Sequence, residues 1–467
     1  MKKMAKVAAL LAAMVLTMAA FAQDFPSYLK MEGTVITGCD KDELPDNLVI
    51  PEGVTEISEG AFSQCMYLES VVIPSSVKEV ICCFEGCSSL KSVTLAEGVE
   101  KIGVWAFNRC ISLVTVTIPN SVTEIGGSAF SGCTSLASIT IPGSVKVIDG
   151  DDYRSGAFEG CTSLKSVTLA EGVEKIGRNA FRGCTSLKNV TIMEGVEEIG
   201  ASAFKGCTAL ANIEIPSSVT AIRGGPDKQG AFNGCTSLTS ISIPKNVAYI
   251  GEGAFAGSGL KTITIPGSVK EIEYDVFWNC KSLESVTIEE GIKTIQSGMF
   301  QDCTALARVT IPSSVIEISG RDGTRVHTGA FHGCTALENI DIPASVTEIG
   351  EYAFSGSGLK TVTIPKGVKV IDVCAFSGCK SLASVTIPRG VWGIGNSAFS
   401  GCTSLKSVSI PRSVTGIRES AFRNCNNLTV QYDGTKEQWL AIQKIGGSVG
   451  TFAVHCSDGD YEKQMWR

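Results

Sequence analysis

Nineteen cysteines and three histidines are the side chains of this 467-residue sequence best suited to nucleophilic, acid–base or metal chemistry. A nucleophile needs a base within hydrogen-bond reach, and a zinc ion needs ligands converging on one point. His455-Cys456 is the one adjacent His/Cys couple. It falls in a segment that reads as a strand, where successive side chains point to opposite faces, so the imidazole cannot activate the thiol. Gly446-Gly-Ser448-Val-Gly450 matches the G-x-S-x-G elbow of serine hydrolases, but it follows a short helical pattern rather than a strand. No acid separates it from His455 in the required order, so it reads as a glycine-rich turn. His327 and His332 lack a third metal ligand and read as solvated loop. Asp149-Gly-Asp-Asp152 and Asp458-Gly-Asp460 lack the onward spacing of a calcium loop and read as turns. No G-x-x-x-x-G-K-[ST] phosphate loop is present. The sequence predicts no enzyme: no catalytic residue, no metal site and no cofactor.

The cysteines make sense by position. Fourteen of them (65, 87, 110, 133, 161, 184, 207, 235, 280, 303, 334, 379, 402 and 425) stand three residues after a phenylalanine. Ser258 and Ser357 fill the same column elsewhere, so the site asks for a small side chain, and one column supplies no tetrahedron. A ladder of buried free thiols is expected. The other five are Cys39, Cys82, Cys83, Cys374 and Cys456. Sixteen coils at roughly 4.8 Å each would separate Cys39 from Cys456 by about 77 Å, too far to pair.

What positions these residues is a repeat. Sixteen of 19 phenylalanines, from Phe62 to Phe422, recur mostly at steps of 22 or 23. The unit runs Cys133-Thr-Ser-Leu136-Ala-Ser-Ile139-Thr-Ile141-Pro142-Gly-Ser-Val145-Lys-Val-Ile148 and closes with Ala-Phe-x-Gly-Cys. L-x-x-I-x-I alternates as a half-buried strand does. Twelve of 15 prolines sit directly after that strand, where a missing N–H breaks no ladder bond. Val-x-x-Ile suggests a second short strand, and Ala-Phe a tight or helical corner whose ring plugs the interior. One coil cannot bury its own apolar face, so coils must stack and contact their neighbours.

This pattern resembles the BspA-type leucine-rich repeats of bacterial surface proteins from about Leu48 to Tyr432, with Pro replacing the Asn or Cys of the common repeat's turn. The resemblance implies a β-rich solenoid, a leucine-rich repeat array of about 16 coils of 22–23 residues with short helical corners and terminal caps. It also implies secretion or surface display and, for several members, adhesion to host proteins or other cells.

The ends differ from the array. Lys2, Lys3 and Lys6, an apolar stretch from Val7 to Ala20, and Ala20-Phe21-Ala22 make residues 1–22 a cleavable signal peptide, with an uncleaved anchor as the alternative. Removing those lysines takes the net charge from −7 to −10, and without a basic cluster nucleic acid is not expected as a partner. No other apolar run is long enough to span a bilayer, so the mature chain should have no membrane span. Residues 23–47 form an N-terminal cap, with Gly33 to Thr37 as a capping strand; the solenoid covers 48–432 and a C-terminal cap 433–467. Thr435-Lys-Glu-Gln438 is a capping box opening a short helix with Trp439 and Ile442 on one face, and Thr451 to His455 reads as the last strand.

Without a catalytic group, surface remains. The polar column of the long strand reads Val72, Thr94, Thr117, Thr140, Thr168, Thr191, Glu214, Ser242, Thr264, Thr287, Thr310, Asp341, Thr363, Thr386 and Ser409. Threonine suits an exposed strand for its own sake; the alternative is a hydroxylated face for an extended partner, with Glu214, Arg308 and Asp341 giving local selectivity. Three insertions, 149–155, 223–229 and 319–328, fall on one edge and are either tolerated loops or a binding rim carrying Tyr153, Arg154, Arg321, Arg325 and His327. The expected function is a secreted or cell-surface binding protein, an adhesin for protein or glycan macromolecules of host matrix or neighbouring cells. A structural envelope spacer is the alternative. Deleting one unit, Ile176 to Glu198, should leave a shorter folded solenoid by circular dichroism; an unfolded deletion variant would refute the modular reading.

Overall fold

The computed structural model describes residues 25–148, 155–226, 229–320 and 328–466. Each turn of the chain is a flattened coil with three corners. A long strand such as Ser138–Ile141 buries Ile139 and Ile141 and exposes Ser138 and Thr140. The proline that follows accepts a turn bond from the valine three residues on, as Val145 N donates to Pro142 O at 3.1 Å. The short strand, here Val147–Ile148, then buries its second residue. Both strands pair in parallel and in register with the next coils: Thr140 lies opposite Thr168 and Thr168 opposite Thr191, while Ile125, Ile148 and Ile176 line up in the short-strand ladder. Leucine, isoleucine and valine columns form one continuous core along the array.

The third corner holds the phenylalanine. From Phe62 to Phe422 the rings stack face to face at 5.0–5.6 Å between centroids and within 14° of parallel. Near-parallel aromatic pairs at this spacing add to the stabilisation given by the area they bury. Each ring is held by its own backbone: Phe181 N donates to Ala203 O of the next coil at 2.8 Å. Phe181 O accepts twice, from Cys184 N at 3.2 Å and from Cys207 Sγ of the next coil at 3.2 Å. The same thiol-to-carbonyl bond recurs along the column, for example Cys110 to Phe84, Cys303 to Phe277 and Cys425 to Phe399. The cysteine is therefore a donor as well as a small filler. Where the column holds serine, the hydroxyl meets the next thiol, as Ser258 Oγ does Cys280 Sγ at 3.3 Å.

The corners are turns, not the short helices expected. Ala180 N reaches Gly177 O, Arg182 N reaches Asn179 O and Cys184 N reaches Phe181 O, three residues back in each case. A helix is blocked because left-handed residues flank the ring: Asn179 at φ 57° and Gly183 at φ 70°. The glycine of Ala-Phe-x-Gly-Cys is thus a conformational requirement, met elsewhere by Asn279, Asp302 and Asn424. Among the described residues the α-helix is Lys436–Ala441, whose Thr435 cap has both capping-box bonds.

At the N-terminal end, Leu29–Glu32 and Val35–Cys39 form an antiparallel hairpin, and Val35 and Ile36 pair in parallel with Glu56 and Ile57 of the first coil. At the other end the phenylalanine stack stops. Phe452 meets Phe422 edge-on at 76° and 5.6 Å, and the buried Trp439 packs against Tyr432 and Trp466. The strand expected to be last, observed as Gly450–Cys456, is followed by a further strand, Gly459–Trp466, pairing with it in antiparallel. Asp458-Gly-Asp460 lies at the turn of that hairpin, where Asp458 accepts from Lys436 N at 2.8 Å.

The second and third insertions leave the short-strand ladder in register. Glu198, Ala221 and Tyr249 pair across the second insertion, and Glu317 pairs with Glu348 across the third. Tyr153, Arg154, Arg321, Arg325 and His327, like residues 1–22 expected as a signal peptide and Asp149 to Asp152, lie outside the described residues.

Burial ranks the sites. Phe181→Ala should destabilise the array by about 3–5 kcal/mol, since a fully buried ring leaves a cavity between two others. Thr191→Ala, on an exposed position, should cost far less; urea titrations giving equal losses would refute this inside–outside assignment.

Candidate binding face

The hydroxyl column of the long strands is exposed. Thr94, Thr117, Thr140, Thr168, Thr191, Glu214, Thr264, Thr287, Thr310, Asp341, Thr363 and Thr386 all face solvent. Strand pairing brings them together in short runs: Thr94 with Thr117, Thr140 with Thr168 and Thr191, Thr264 with Thr287 and Thr310, and Thr363 with Thr386 and Ser409. Val49 and Val72 precede Thr94 in the first run, so that end of the face is apolar.

Between runs the long-strand ladder opens. The segments 211–216, 239–244 and 338–343 carry no strand, although the short-strand ladder continues beside the first two. The charged members of the column, Glu214 and Asp341, sit in these segments. A groove of about 880 Å³ lies over the first two, lined by Asn189, Thr191, Asn212, Glu214, Ser240 and Ser242. A second, of about 490 Å³, lies where Thr115 and Thr117 meet Ser138 and Thr140 without pairing. Hydroxyls, two carboxamides and one carboxylate supply both donors and acceptors in the larger groove. That inventory suits recognition of a polar chain or sugar.

The column also runs further than its spacing suggests. Ser409 pairs with Gln431, and Gln431 with His455. The last repeat reads Leu428-Thr-Val430-Gln-Tyr432, one residue shorter than L-x-x-I-x-I, which hides the continuation. His455 Nδ1 lies 2.8 Å from Asp460 Oδ1, and Arg389 reaches Asp433 at 3.2 Å, giving this end a charged finish. A third groove, of about 480 Å³, includes Thr386, Arg389, Ser409, Gln431 and Asp433.

Two further features were not read from the spacing. Glu194 accepts from Ser217 N and Ser218 N at 3.1 and 3.0 Å, and Glu290 accepts from Ser313 N and Ser314 N at 2.9 and 3.0 Å. Each carboxylate clamps the turn one coil on, and hydrogen bonds from the Ser217 backbone to Glu194, and from the Ser313 hydroxyl and backbone to Glu290, hold both acids below the usual carboxylate range. The signal was present: Glu-Gly-(Val/Ile) precedes Ser-Ser-Val by 23 residues in both places. Arg223, at the edge of the second insertion, bonds Glu198 at 2.9–3.0 Å and lies 4.9 Å over the Tyr249 ring.

The thiols have no part in this face. Desolvation drives the Cys161 and Cys207 thiols up to about 12, so thiolate is scarce at neutral pH. Cys83 takes the alanine position before Phe84 and is fully buried. Cys82 and Cys374 occupy left-handed corner positions and, with Cys456, are the half-buried thiols. Among the described residues no helix is long and apolar enough to cross a membrane, and no group of three His, Cys, Asp or Glu is arranged to hold a metal ion.

Comparison with known proteins matches the model of the BspA-type leucine-rich repeat region over residues 41–154, 151–225, 228–322 and 321–429. The chain belongs to the BspA-type leucine-rich repeat family. A crystal structure of a leucine-rich repeat protein from Bacteroides ovatus is 26% identical, with a TM-score of 0.65 over 88% of this chain and 99% of that one. A leucine-rich cell surface protein from Faecalibacterium prausnitzii is also 26% identical, covering 91% of this chain and 100% of that one, with a TM-score of 0.36. A pneumococcal vaccine antigen is 16% identical over 93% of this chain and 96% of that one, with a TM-score of 0.41. No curated protein matches. The matched segments contain the Phe, Leu, Ile and Pro columns and the exposed hydroxyl column alike.

Alkylating the native chain should label Cys82, Cys374 and Cys456 before any thiol of the phenylalanine corner. Peptide mapping that found Cys184 or Cys207 labelled at the same rate would refute the buried thiol ladder.

Proposed function

We propose that this BspA-type protein is exported through residues 1–22 and acts at the cell surface or beyond as an adhesin, binding protein or glycan macromolecules through its long-strand face. Residues 23–47 and 433–467 would then serve as covers for the two ends of a binding array. The groove between Thr191, Glu214 and Ser242 carries the reading, because it gathers donors and acceptors on an exposed face without any acid–base pair. Several in-register hydroxyl runs allow a long partner to make many weak contacts, and linked weak contacts sum to useful avidity. The repeat family of bacterial surface proteins supports both the location and a protein-binding role, and the Faecalibacterium relative is described as a cell surface protein. Binding needs no cofactor and no chemical turnover. The rim loops with Tyr153, Arg154, Arg321, Arg325 and His327 would add selectivity at one edge.

The test is retention of extracellular-matrix proteins and cell-surface glycans on immobilised mature chain. Replacing Thr264, Thr287 and Thr310 together by Glu should weaken retention at least tenfold with the circular dichroism spectrum unchanged, because three exposed, paired positions gain charge. Full retention by the folded triple variant would exclude the strand face. Absence of any retained partner would favour a structural spacer.

A further inference from the structure

The thiol column has one irregular position, and it is at the end. Every thiol from Cys87 onward that donates along the column does so to a phenylalanine carbonyl one coil back; the first of these bonds is Cys87 Sγ to Phe62 O at 3.0 Å. Cys65 belongs to the first phenylalanine corner, and no phenylalanine corner precedes it. The N-terminal hairpin stands there instead. Its strand Val35–Cys39 ends with Cys39, whose Sγ lies 3.5 Å from Cys65 Sγ, both side chains being buried. The two sulfurs meet without an intervening carbonyl.

We propose that Cys39 and Cys65 form a disulfide that fastens the N-terminal hairpin to the first coil. Bringing the sulfurs from 3.5 Å to the bonded distance of about 2.05 Å asks for about 1.5 Å of approach, shared between two side chains. The bridge would close a loop spanning 26 positions that contains both strands of the first coil, Asn47–Val49 and Glu56–Ile57. Restricting that loop in the unfolded chain favours the packed end. Lys41 Nζ already joins the same two pieces by donating to Ser63 O at 2.7 Å.

The oxidant is a low-molecular-weight disulfide such as oxidised glutathione. One cysteine thiolate attacks a sulfur of that disulfide and expels one thiol. The second cysteine thiolate then attacks the protein sulfur of the mixed disulfide and expels the other. The two cysteines lose two electrons, the oxidant gains them, and both cysteine protons end on the two released thiols. Within the folded chain the Cys65 thiol stands at about 11: a hydrogen bond shared with Cys39 lowers it, while one with Cys87 and burial raise it.

The test is to refold the reduced full chain in a buffer of reduced and oxidised glutathione, alkylate under denaturing conditions without reductant, and map peptides by mass spectrometry. The expected result is a Cys39–Cys65 cross-linked pair, with the other column cysteines alkylated and with Cys65 alkylated in Cys39→Ser. Alkylation of both Cys39 and Cys65 in the folded wild-type chain, or linkage of Cys65 to Cys87, would overturn the proposal. If Cys39→Ser does not fold, the wild-type map alone decides. In the cell the bond also requires the oxidising side of the membrane, which rests on the export reading. A chain that links on refolding but is recovered reduced from its native cells supports the pair and counts against export.

Discussion

Everything in this molecule depends on one carbonyl per coil. The phenylalanine C=O is surrounded by apolar side chains, where an unpaired acceptor is costly, and it is satisfied by the coil that carries it and by the coil that follows. Because the second partner is a thiol, the position asks for a side chain that is small, weakly polar and able to donate. Cysteine answers in most corners; in the two serine corners the hydroxyl turns instead to the next thiol. The ring stack, the left-handed turns around it and the register of both strand ladders all require that adjacent corners lie directly above one another.

The solenoid was legible because its constraints repeat. A requirement imposed on sixteen corners writes itself as a column, and the Phe, Cys, Pro and Ile columns each state one of them. The turn geometry was harder to read. Ala-Phe looks helical by composition, and the left-handed backbone that forbids a helix is disguised where Gly gives way to Asn279, Asp302 or Arg109. The ends were harder still. Gly459–Trp466 has no counterpart in the repeat, and the Cys39 partner is set by a hairpin that no repeat describes.

The candidate face was legible in part for the same reason. Alternation along a strand tells which side chains point outward, so the sequence alone places the threonines on the exposed side. Alternation does not tell where neighbouring strands cease to pair. The grooves beside Glu214 and between Thr117 and Thr140 lie where ladder bonds are locally missing. The continuation through Gln431 to His455 was hidden by one missing residue after Leu428. Regular sequence thus marks the scaffold, and the departures from it fall where the surface gains shape and charge.

The edge-on ring at the C-terminal end has a consequence for assembly. A stack of parallel phenylalanines with open strand ladders has no intrinsic length; one chain's last coil presents the same surface that its own next coil would use. Head-to-tail contacts of this kind do not close, and they generate filaments. By turning Phe452 through 76° and laying Trp439 and the Gly459–Trp466 strand beside it, the chain makes its final surface unlike its repeating one. That surface no longer offers the parallel ring on which a further coil of the array stacks.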